Sequence, residues 1–176
     1  MRRVTVRALP FVALVLGALV LPPMAPAGDP PPFRHGDFMA LNSRGKSPNV
    51  SSDSMRTVYN FDLYSLATGE RIGTATDDVF CSTATPPPCQ VFDAKTTFRL
   101  PDGEFVNHAQ VSVVPDPQRP GWFLVASLPS SKGIISGTDA YAGRTGTVKL
   151  TGVNDGRNYP AELGVDDRWV IEFDPK

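Results

Sequence analysis

Turn residues set the frame for this chain. From Arg56 onward, glycines, prolines, asparagines and aspartates interrupt the sequence about every ten residues, and the runs between them are short, apolar or alternating. No window combines a helical period with a helical length, so the chain reads as all-β. Strands are expected over 57–65, 71–80, 90–100, 105–114, 122–128, 133–136, 146–153 and 168–173, with a candidate first strand at 38–41. Thr68-Gly69 closes a hairpin, Pro101-Asp102-Gly103 makes a tight turn, and 115–121 is a Pro-rich loop that no strand could contain. That count suits a closed barrel or a sandwich, and closure removes the exposed edges an open sheet would leave.

Period two assigns faces within these strands. Tyr59, Phe61 and Leu63 fall together, with Asn60 and Asp62 opposite, and Phe98 and Leu100 share a face while Arg99 points away. The plain explanation is that all five are core residues. The functional one is that they line an apolar cavity, with Tyr59 as the best polar candidate for a catalytic contact.

The N-terminus has the layout of an export signal. Arg2, Arg3 and Arg7 precede an almost wholly apolar run from Ala8 to Leu21, and Ala25-Pro26-Ala27 is a small-x-small cleavage sequence. Residues 1–27 are therefore expected to be a signal peptide cut after Ala27, giving a secreted, extracytoplasmic protein. A membrane anchor is the alternative, but the run is shorter than the ~20 residues a bilayer requires. Residues 28–55 are expected to be a flexible segment containing the candidate first strand, its polar stretch from Arg44 to Asp53 draped over the surface. Residues 56–176 are expected to form one barrel domain.

Lys plus Arg number 17 against 18 Asp plus Glu. Loss of the three leader arginines leaves a mildly acidic protein, which argues against nucleic acid and anionic lipid as partners. Cys81 and Cys89 are the only cysteines. In an oxidising compartment a disulfide is expected, worth on the order of 2 kcal/mol, with a pair of free thiols as the alternative. Two cysteines with His35 and His108 do not make a zinc pattern, so no metal is expected. Neither histidine lies near a nucleophile elbow, no phosphate loop or dinucleotide fingerprint occurs, and no cofactor is called for. Glu104 and His108 share one strand face, where two solvent-facing polar groups are the simpler reading than an acid–base pair.

Three segments carry a family resemblance. Asp62-Leu63-Tyr64, then Gly69-Glu70-Arg71-Ile72-Gly73, then Cys81 is similar to the opening hairpin of allene oxide cyclase barrel-like proteins, and 96–103 resembles their middle strand and turn. The run from Ile135 to Gly146 is similar to a glycine-rich turn of that family, seen in variant form in dirigent proteins, with Ser136 and Asp139 standing where glycines are usual. Gly137, Gly143 and Gly146 would relieve a sharp corner, and Tyr141 would plug the barrel end.

The resemblance implies a single eight-stranded antiparallel, calycin-like β-barrel with an apolar interior. It implies a cofactor-independent cyclase, isomerase or dirigent-like stereocontrol protein, folding a hydrophobic polyunsaturated small molecule, polyketide- or oxylipin-like, for ring closure. Tyr59, Phe61, Leu63, Phe98 and Leu100 would then bind substrate. The asparagine and glutamate of the plant cyclases have no counterpart, Phe61 standing at the asparagine position, which argues against allene oxide itself. A non-catalytic carrier of an apolar metabolite and a structural envelope barrel are the competing readings. Family members are often dimers or trimers, so the resemblance allows a homo-oligomer, though the sequence carries no interface signal of its own.

Overall fold

The computed structural model describes residues 38–51, 56–81 and 89–175. The expected signal peptide, its expected cleavage point after Ala27 and the Pro-rich stretch that follows lie outside the described residues. Nine strands follow in chain order: β1 (Phe38–Pro48), β2 (Arg56–Ser65), β3 (Arg71–Cys81), β4 (Val91–Leu100), β5 (Gly103–Pro115), β6 (Trp122–Ser127), β7 (Gly133–Gly137), β8 (Gly146–Asp155) and β9 (Glu162–Phe173). One 3-10 turn, Asp139–Tyr141, is the sole helix among the described residues.

Every pairing is antiparallel, and eight strands close on themselves in the order β1-β2-β3-β4-β5-β6-β8-β9, with β9 returning to β1. β7 is an extra strand beside the first half of β5, whose second half pairs with β6. The barrel is the expected fold.

Two differences from the sequence reading have one cause. β1 runs on to Pro48, through the polar stretch expected to be draped over the surface, so the barrel begins with β1 and not at residue 56. β9 starts at Glu162, six residues before the expected strand. These two extensions pair with each other, Arg44 opposite Asp166 and Lys46 opposite Gly164. Their outward side chains are charged, and Arg44–Asp166 (3.6 Å) and Lys46–Glu162 (3.3 Å) span the two strands. Neither run carries an apolar signal strong enough to announce a strand alone; each is a strand because the other is there.

The core fills one end of the barrel. Phe98 stacks on Phe105 with ring centroids 4.7 Å apart and meets Trp169 edge-on at 5.2 Å. Tyr141, raised on its 3-10 turn, stacks on Phe173 at 5.5 Å and donates its hydroxyl to Asp102 Oδ1 at 2.7 Å, sealing that end as a plug. Burying each such ring contributes about 1.5–3 kcal/mol. Gly137 makes this possible, because a Cβ there would collide with the backbone carbonyl oxygen of Tyr141. Asp139, in place of a glycine, takes the positive φ (48°) that aspartate tolerates better than most residues.

At the opposite end β1, β3, β5 and β8 finish and β2, β4, β6 and β9 begin. Cys81 and Cys89 are joined there as a disulfide, their Cα atoms 5.9 Å apart, tying the end of β3 to the start of β4. No helix among the described residues is long and apolar enough to cross a membrane.

Candidate functional site: a polar belt inside the barrel

Alternation along β2 to β5 stacks the inward side chains in rungs. The rung toward the plugged end is Phe61, Ala75, Phe98 and Phe105; the rung toward the loop end is Thr57, Val79, Ala94 and Ala109. Between them lies a polar rung. Tyr59 is opposite Asp77, Asp77 opposite Thr96, and Thr96 opposite Asn107. On the other wall Asp167 of β9 sits between Ser43 of β1 and Gly152 of β8.

Each polar group of this belt has a definite setting. Thr96 is buried and donates its hydroxyl to Asp77 Oδ1 at 2.8 Å. Asp77 is only half-buried as a residue, yet its carboxyl is surrounded by protein. Burial pushes its pKa up to about 6, against the Thr96 hydrogen bond, and the charge of Asp78 adds to the rise. Asp167 is 5% exposed, and burial, with the charges of Asp77 and Asp166, raises its pKa well above the usual carboxylate range. With its amide oriented to satisfy both ends, Asn154 donates to Asp167 Oδ1 at 2.9 Å. Gly152 leaves the space this carboxyl fills, since a Cβ there would collide with Asp167 Oδ1. Trp169 Nε1 donates to Ser43 Oγ at 3.0 Å.

Tyr59 donates its hydroxyl to the Pro160 carbonyl at 2.9 Å, and burial, with the charges of Tyr159 and Asp77, pushes its pKa up to about 12 despite a hydrogen bond with Thr57. It is therefore a neutral donor at physiological pH. Asn107 is 0% exposed, and neither atom of its amide has a hydrogen-bond partner among the described residues.

The five residues expected to line a cavity all face inward, but they divide. Leu63, Phe98 and Leu100 belong to the packed core of the plugged end, whereas Tyr59 and Phe61 form a second cluster with Val165 and Leu163 beside the polar belt. Glu104 and His108 point outward, toward Arg99 (3.5 Å) and Asp93 (3.9 Å) respectively. Two hollows of about 350 and 330 Å³ also lie outside the barrel, one at Arg44, Lys46 and Asn60, the other at His108, Gln110 and Ser131. Among the described residues no group of three His, Cys, Asp or Glu side chains is placed to hold a metal ion.

Sequence reasoning passed over Asp77, Thr96, Asn107, Asn154 and Asp167. The signal was present, since Asn107 is in phase with Phe105 and Ala109, and Asp167 with Val165 and Trp169. A polar residue in phase with apolar neighbours on a half-buried strand marks an inward polar group.

No family model matches the chain, and no curated protein does. A solved structure titled pyocyanin demethylase is similar over 78% of this chain and 99% of its own length, with 17% sequence identity and a TM-score of 0.40. At that similarity nothing about chemistry transfers.

Proposed function

We propose that the barrel encloses a hydrophobic, polyunsaturated small molecule and folds it for cofactor-independent ring closure or isomerisation, with Asp167 as the acid and Asp77 as the base. The observation that carries this reading is the pair of inward-facing carboxyl groups on the polar belt, Asp167 buried and Asp77 held by the Thr96 hydroxyl. A packed structural core has no use for two buried acids, which cost several kcal/mol each when ionised and unpaired.

The environments separate their roles. Burial raises the Asp167 pKa well above the usual carboxylate range, which suits it to donate to a carbonyl or epoxide oxygen, while Asp77, with a pKa of about 6 and a hydroxyl bonded to it, is mostly ionised at neutral pH and can accept a proton. Ring closure of a polyene by proton transfer from one to the other is redox-neutral and leaves the protein unchanged once the proton returns. The apolar rungs on either side exclude water and hold the chain in a reactive fold, which can lower a barrier by several kcal/mol. Tyr59 and Phe61, next to the belt, are the substrate-binding residues of this reading, with Leu63, Phe98 and Leu100 as the floor behind them. The resemblance of 62–81 and 135–146 to allene oxide cyclase-like and dirigent barrels supports ring closure over other isomerisations, and the disulfide supports an exported protein.

The test is native mass spectrometry and solvent extraction of the protein from its own host, followed by turnover of whatever co-purifies. The expected result is a bound polyene or its cyclised product, with Asp167→Asn abolishing turnover while binding persists. Turnover by Asp167→Asn and Asp77→Asn at the wild-type rate would sink the acid–base assignment. Binding with no turnover by any form would leave a carrier.

A further inference from the structure

Asn154 makes a hydrogen bond whose direction its surroundings decide. It is the next inward residue of β8 after Gly152 and sits opposite Val165 of β9. One end of its amide is 3.2 Å from the Val153 carbonyl oxygen and 2.9 Å from Asp167 Oδ1. A peptide carbonyl only accepts, so the atom at that end is the NH2 nitrogen, and its other hydrogen goes to Asp167 Oδ1. In a carboxylic acid the carbonyl oxygen accepts far better than the hydroxyl oxygen. When Asp167 is protonated, the proton therefore belongs on Oδ2. Asp77 repeats the arrangement, since Thr96 donates to its Oδ1 at 2.8 Å. Neither Oδ2 has a hydrogen-bond partner among the described residues.

We infer that Asn154 and Thr96 are positioning residues, each holding Oδ1 of one carboxyl, so that the two Oδ2 atoms are the ones that exchange protons. The inference rests on the acid and base assigned above and names their working atoms. The two partners differ in a way that suits the two roles. An amide nitrogen only donates, so Asn154 stays bonded to Asp167 before and after the proton leaves and steadies the carboxylate left behind. A hydroxyl donates or accepts by rotating, so Thr96 can follow Asp77 through both of its states. One O–H bond breaks at Asp167 Oδ2 and one forms at Asp77 Oδ2, so the pair holds the same number of protons after a turnover as before it. The surroundings of each carboxyl are few. Asp167 is flanked by uncharged Ser43 and Gly152, and the charges that act on it are Asp77 and Asp166. Asp77 lies between Tyr59 and Thr96, with Asp78 beside it.

The test is heteronuclear NMR of the protein without substrate. In wild-type protein the scalar coupling across the hydrogen bond, from the Asn154 amide nitrogen to the Asp167 carboxyl carbon, should persist on both sides of the Asp167 titration. Its disappearance when Asp167 takes up its proton would place that proton on Oδ1 and overturn the inference with no variant needed. Carboxyl-carbon titrations of variants supply the second reading. Asn154→Leu, close to isosteric, should raise the Asp167 midpoint by about one pH unit, the scale of a hydrogen bond to a charged group, while the Asp77 midpoint stays put or falls. Thr96→Val should do the same to Asp77 alone, and Thr96→Ser, which keeps the hydroxyl, should restore it. A rise of both midpoints in either variant would show only a drier belt and would overturn the positioning roles. Loss of the coupling overturns Asn154 even where Asp167→Asn abolishes turnover, whereas turnover by Asp167→Asn overturns the acid itself and with it the working role of its Oδ2.

Discussion

At the scale of single residues the interior site depends on one missing side chain. Gly152 is directly opposite Asp167, and the carboxyl lies where a Cβ of residue 152 would be. Gly152→Ala should therefore displace Asp167 or strain β8, at the usual cost of overpacking, about 1–3 kcal/mol. If the clash is with the carboxyl, Gly152→Ala combined with Asp167→Ser should recover most of that loss, a non-additivity that urea unfolding of the two single variants and the double variant would measure. Simple additivity would mean that the glycine is required by its backbone and not by the space it leaves. This also explains what could be read in advance. Tyr59, Phe61, Leu63, Phe98 and Leu100 were legible as inward residues because apolar alternation marks them. Asp77, Asn107 and Asp167 obey the same alternation, but a search for apolar faces discards the polar member of a face, and here the polar members form the site.

At the scale of elements, the loop end is held by a clasp. Trp122, at the start of β6, is in cation–π range of two guanidinium groups, with Arg119 Cζ 5.0 Å and Arg157 Cζ 5.7 Å from its ring centroid. Each arginine is fixed by a carboxylate, Arg119 by Asp116 at 2.7 Å and Arg157 by Asp155 at 2.6 Å. The stack joins the β5–β6 and β8–β9 connections, and the latter supplies the carbonyl that Tyr59 bonds. Trp122→Ala should remove two cation–π contacts, of about 0.5–1 kcal/mol each at an exposed site, without touching the plug at Tyr141. Hydrogen exchange should then accelerate in 116–121 and 156–161 while 98–105 keeps its protection; uniform acceleration would show that the clasp supports the whole barrel. Most strands were legible because turn chemistry punctuates them. The halves of β1 and β9 that pair with each other were not, because Arg44, Lys46, Glu162 and Asp166 define a strand only through partners more than a hundred residues away.

At the scale of the whole molecule, the belt makes stability depend on pH in a direction opposite to that of most acidic groups. Asp77 titrates near its ordinary value of 3.8 in the unfolded chain and near 6 in the barrel. Below about pH 4 both states carry the proton. Between the two values the native state keeps it while the unfolded chain releases it, so the native state binds more protons and stability falls as pH rises. Above pH 6 the loss for Asp77 is complete, at about 3 kcal/mol for roughly two pKa units. Asp167 shifts in the same direction and adds to the decline. Asp155 is held down at about 2 by Arg157, and Asp116 is lowered by the Gln118 amide and Arg119, so both act only in strongly acidic solution and with the opposite sign. The protein should therefore be more stable at pH 5 than at pH 8, by an amount that matters for a domain whose total stability is about 5–15 kcal/mol. Asp77→Asn and Asp167→Asn should each flatten the slope, and together remove most of it, in urea unfolding followed at several pH values. A wild-type profile already flat between pH 5 and 8 would mean that both carboxyls reach water in the native barrel, and the proposed acid and base would lose the burial that separates their roles.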